Sequence, residues 1–94
     1  MLSKIPIDIN NVGNEDTDNE ILRVAIIAEL DAINLYEQLA SRTKDKDLKK
    51  ILLDVAKEEK THVGEFQSLL LERDKEQVKE LEAGRKEVEE ELGD

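Results

Sequence analysis

Two long stretches of the chain repeat apolar residues at alternating four- and three-residue steps, a spacing that admits little besides helices packed side by side. The first seam runs Leu22, Ile26, Glu29, Ile33, Tyr36, Ala40. The second runs Leu48, Leu52, Val55, Glu59, His62, Phe66, Leu69. Further apolar residues flank both seams (Ile21, Ala25, Ala32 and Leu39; Ile51, Ala56, Val63 and Leu70), widening each face to what a multi-helix core needs. No Gly or Pro interrupts the first stretch, and Thr17 with Glu20 three residues later has the form of a capping box. A first helix is therefore expected from about residue 18 to 42. The polar stretch Thr43-Lys44-Asp45-Lys46 is short enough to fold two helices antiparallel. Asp45 or Asp47 would cap a second helix ending near Arg73, and Asp74 with Gln77 would start a third, ending near Leu92. Val78, Leu81, Val88 and Leu92 give that third helix only a thin apolar stripe, and Gly84 weakens it.

Residues 1–17, with the sole proline, Pro6, and no sustained periodicity, read as an arm, disordered or docked on a neighbour, ahead of one helical domain over 18–92. The expected fold is all-α: an antiparallel hairpin plus a shorter C-terminal helix. A hairpin alone leaves its apolar face open, and 94 residues bury only a modest core. Two hairpins face to face make a four-helix bundle, so a dimer is expected.

Charge narrows the function. A net charge of −10 argues against nucleic acid, whose phosphates need a basic surface, and favours cations or a basic partner. With no cysteine there is neither a disulfide nor a thiolate metal site, which suits a reducing cytoplasm. No apolar run approaches the ~18 residues of a membrane span, so neither nucleic acid nor membrane is an expected partner.

The chemistry lies where polar residues break the seams. A carboxylate in a bundle interior needs a proton, a cation or hydrogen bonds to offset its charge. Glu59 and His62, three apart on a helix, point the same way. A loop near residue 45 pairs position 29 with about position 61, which brings Glu29 level with both. Fifteen glutamates in 94 residues would put a Glu three before the only His by chance about one time in six, so the spacing alone is weak. Its weight comes from the seam and from Glu29. Dinuclear carboxylate proteins draw a Glu from each of two helices and a Glu-x-x-His from each of the other two. This chain has one of each, half a site, which a two-fold axis would complete. Oxygen-rich ligands with one imidazole per metal suit iron or manganese. Tyr36, two turns beyond Glu29, is a candidate to hydrogen-bond a ligand carboxylate from behind. Asp31 and Glu65 read as solvated surface carboxylates. Two other readings use the same residues: a structural or adaptor hairpin whose polar seam only fixes pairing, and a rubrerythrin-like peroxidase.

The runs ILRVAIIAELDAINLYE (21–37) and ILLDVAKEEKTHVGEF (51–66) resemble the first two helices of encapsulated ferritins, and the likeness extends over about residues 18–92. Its form is that of the ferritin-like segment preceding the shell domain in archaeal fused encapsulins. The resemblance implies a half-ferritin that dimerises around a di-iron ferroxidase centre, with Glu29, Glu59 and His62 as ligands, Glu59 bridging, and Tyr36 adjacent. It also implies a ring of ten chains inside a cytoplasmic encapsulin nanocompartment that stores the oxidised iron. Two departures stand out. Some members carry an additional acidic metal site near helix 1, where this chain has Ala28 and only Asp31. Free-standing members end in a shell-targeting peptide, whereas this sequence stops at Glu91-Leu92-Gly93-Asp94, as a piece of a fused shell protein would.

Overall fold

The computed structural model describes residues 17–93, and the expected arm lies, except for Thr17, outside the described residues. Three helices follow one another: α1 (Thr17–Arg42), α2 (Lys46–Arg73) and α3 (Lys75–Leu92). Among the described residues there is no strand. Helix α1 begins at Thr17, one residue earlier than the sequence implies, so Thr17 belongs to the helix rather than to the arm.

Local chemistry explains the boundaries. Asp45 is the cap of α2: its Oδ1 accepts from the amides of Asp47 and Leu48 at 2.9 and 3.0 Å, two donors that the first turn cannot pair internally. Asp45 is itself steadied by an N–H donated to Thr43 Oγ1. The tight link turns the chain back on itself, and cross-helix pairs show the antiparallel register: Arg23 meets Asp74, and Glu37 meets Lys60. At the far end of α2, Asp74 accepts the Gln77 amide as the capping pattern predicts, but the reciprocal half of a box does not form. The Asp74 N–H donates instead to Leu70 O, closing α2. Helix α3 runs straight through Gly84, where a side chain would meet only open space, and ends at Gly93, whose φ of 82° is the left-handed cap that glycine adopts without strain.

Packing differs from the seam pattern in one informative way. In α1 the buried residues are largely those of the seam: Leu22, Ile33 and Ala40. In α2 they are Ala56 and Leu70, flanking positions, whereas Leu48 and Leu69 of the seam are exposed. A helix with one neighbour buries the edge that faces it, and here that edge lies beside the seam rather than along it. The near-complete burial of Ala40 and Ala56 marks places where small side chains let the two helices approach closely. No large side chain among the described residues is fully buried, and α3 buries none of its residues. The hairpin therefore presents a broad, half-open apolar face, with its polar breaks in the middle. Among the described residues, no helix is long and apolar enough to cross a membrane.

Candidate metal centre

Glu29 comes from the middle of α1, and Glu59 and His62 come from the middle of α2. Glu29 lies sixteen residues before Asp45, the last residue of the link, and His62 lies seventeen beyond it, so the hairpin brings them to one level. One ligand-type atom from each lies within 4.8 Å of the other two. Among the described residues, no other group of three such side chains converges in this way. Nδ1 of His62 stands 3.3 Å from Glu29 Oε2 and 3.4 Å from Glu59 Oε2. With a proton on Nδ1 the imidazole donates to either carboxylate; without it, the nitrogen lone pair faces the point that both carboxylates face. The donor set, two carboxylates and one imidazole with no thiolate, suits a hard or borderline divalent ion.

The environment is asymmetric. Both glutamate side chains are 19% exposed, whereas that of His62 is 43% exposed. The carboxylates sit down in the hairpin, and the imidazole stands at the rim of the open face. Two carboxylates this close repel each other unless a proton or cation lies between them. The site is thus electrostatically poised for a cation and geometrically open on one side. One exposed ion pair, Lys60 to Glu37 at 3.0 Å, spans the helices beside the site, Lys60 following Glu59 directly and Glu37 lying about two turns beyond Glu29.

The three candidate ligands are brought together as the register arithmetic requires. Tyr36 is half-buried two turns along α1 and makes no hydrogen bond to Glu29 or Glu59 within the chain. Glu65 is exposed, as expected. Asp31 is not the solvated carboxylate expected of it: it is only 8% exposed and engaged in an interaction. A second stripe, Val24, Ala28, Asp31 and Leu35, with the same four- and three-residue steps, carries the signal that places it inward. The ion pair between Arg23 and Asp74, 51 residues apart, had no signal in a chain so rich in both charges.

The comparisons with known proteins agree with this architecture. The rubrerythrin family pattern matches residues 20–92. A ferritin-like-encapsulin shell fusion protein from Pyrococcus furiosus is 66% identical over 74 residues, which are 79% of this chain and 21% of that protein. Encapsulin nanocompartment cargo protein EncC of Myxococcus xanthus is 44% identical over 70 residues, 71% of this chain and 54% of EncC. The chain therefore spans about a fifth of one relative and about half of the other. The crystal structure of the encapsulated ferritin domain from Pyrococcus furiosus superimposes with a TM-score of 0.85 at 55% identity, covering 100% of this chain and 98% of that one. With a family pattern matching residues 20–92, close relatives and a shared fold, the chain belongs to the rubrerythrin family and is a ferritin-like domain of the encapsulated-ferritin type.

Proposed function

We propose that two copies of this chain pair through their open faces and oxidise Fe(II) to Fe(III) at a centre built from Glu29, Glu59 and His62 of both. The observation that carries the reading is the meeting of these three donors at one level of a half-open apolar hairpin. One hairpin supplies half the ligand set of a dinuclear carboxylate site, and a two-fold axis supplies the rest.

Each residue has a role. Glu29 and Glu59 would hold Fe(II) as substrate, and their charge favours the ferric product over the ferrous reactant; the family resemblance implies that Glu59 would be the carboxylate shared between the two ions. His62 supplies its Nδ1 lone pair, which requires the imidazole to be neutral. Every Fe(II) oxidised gives up one electron, and dioxygen or peroxide accepts it. The protein's overall negative charge raises the local Fe(II) concentration. Because relatives are named as encapsulin cargo and as an encapsulin fusion, the ferric product is assigned to storage in an encapsulin shell; an arrangement of the dimers in a ring of ten chains rests on the family resemblance alone.

Mixing the protein with Fe(II) under air and following ferric absorbance tests the reading, with Glu59→Ala and His62→Ala alongside. Both variants should lose at least tenfold in initial rate; variants that oxidise iron as fast as the parent refute the site. Comparing rate and turnover with peroxide against those with air distinguishes a peroxidase of the rubrerythrin kind, which would turn over peroxide in preference to dioxygen. Measuring iron content and oligomer mass together, before and after chelation, separates both enzymes from an adaptor hairpin, which would dimerise without metal.

A further inference from the structure

A single residue joins α2 to α3, and three helices converge on it. The Asp74 amide donates to Leu70 O at 2.8 Å and closes α2. Its Oδ1 accepts the Gln77 amide at 3.0 Å and opens α3. Its Oδ2 accepts from Arg23 Nη2 of α1 at 2.8 Å. The Gln77 amide and then the Arg23 guanidinium hold the Asp74 carboxyl below the usual carboxylate range.

Packing within the chain does little to orient α3. The helix buries no residue, and a groove along its distal half is lined by its own Gly84, Val88 and Leu92 with Glu87 and Glu91. Only its first turns meet the hairpin, where Gln77 and Leu81 form one wall of an apolar groove of about 390 Å³ opposite Arg23 and Ile27. A helix of 18 residues is about 27 Å long, so a tilt of about 20° at Asp74 displaces its far end by about 9 Å. One backbone residue (φ −117°, ψ 87°, outside the helical region) does not by itself hold such a lever still.

We propose that the Arg23–Asp74 pair is a latch through which α1 sets the direction of α3, and that releasing it lets α3 swing about Asp74 as an intact helix and widens the groove. An exposed ion pair contributes little to stability, so the latch governs orientation while hardly changing the free energy of folding. That separation makes it testable.

Because the chain has no cysteine, single cysteines can replace the exposed Asn34 on α1 and Lys86 on α3 and carry nitroxide labels, with doubly labelled chains diluted into excess unlabelled protein. Double electron–electron resonance should give one narrow distance distribution in the parent and one at least twice as broad in Arg23→Gln. Helical circular dichroism and the urea midpoint should be unchanged. Arg23→Lys, which keeps the charge, should retain most of the narrowness. A distribution as narrow in Arg23→Gln as in the parent overturns the latch. So does equal broadening in Arg23→Lys, which would assign α3's orientation to packing, or a loss of helix in place of a swing.

Discussion

Changing Glu59 to Gln exchanges one oxygen for an NH₂ group, yet it should move two properties in opposite directions. Ligand-type oxygens of Glu29 and Glu59 lie within 4.8 Å of each other. Two unit charges at that distance repel by about 3.5 kcal/mol at an effective dielectric of about 20 and by about 1 kcal/mol in bulk water. Both side chains are 19% exposed on an open face, so water screens the pair and a value of about 1–2 kcal/mol is the reasonable expectation. At pH 8 in the presence of a chelator, Glu59→Gln should therefore be more stable than the parent. For a domain of this size each 1 kcal/mol raises Tm by about 4–8 °C. Anaerobic Fe(II) should reverse the order. It should stabilise the parent by about 2.7 kcal/mol at a hundredfold excess over Kd, and the variant hardly at all. Thermal melts followed by circular dichroism, with chelator and with Fe(II), give all four values. A variant that is less stable than the parent without metal and still responds fully to Fe(II) would refute the argument. Glu59 would then be a structural hydrogen-bonding residue rather than a charge held in place for a cation.

Other expectations follow from local features. Asp45→Ala removes the acceptor for two amides and should cost about 1 kcal/mol, read as a lower urea midpoint with an unchanged slope. Ala56, 2% exposed where α1 and α2 approach, has no room for a larger side chain; Ala56→Leu should cost about 1–3 kcal/mol and blunt Fe(II) oxidation by spreading Glu29 from His62. The Asp74 carboxyl is held low first by the Gln77 amide and then by Arg23, so its contribution to stability is complete above the ordinary carboxylate range and is lost as pH falls through the lowered value. Asp74→Asn should accordingly flatten the stability profile below about pH 4 and leave its shape near neutrality unchanged, as pH-dependent urea midpoints will show.

Much of this was legible before any coordinates because the deciding interactions are local. The link at 43–45 is marked by polar residues and an aspartate cap, and once it is placed, antiparallel register follows by counting. That is why Glu29 could be set level with Glu59 and His62 from opposite helices. What escaped depends on which neighbour a helix has. Periodicity identifies an apolar face but not the edge of it that a single partner covers, so burial in α2 centres on Ala56 and Leu70 rather than on the seam. Asp31 escaped because a carboxylate off the main seam is usually solvated, and only the Val24–Ala28–Leu35 stripe argued otherwise. The Arg23–Asp74 pair escaped because 14 basic and 24 acidic residues allow too many pairings for sequence to choose among.

Among the described residues no large side chain is fully buried, which bears on when the chemistry can begin. A hairpin that borrows its core from a second copy, as proposed, would acquire its rigidity and its complete ligand set in the same bimolecular event. On the proposed function, specific activity should then fall with dilution, and a newly made chain, still alone, should be inert toward iron. Ferrous oxidation releases damaging oxygen species when it runs unconfined. If two copies pair as proposed, assembly itself is the safety catch.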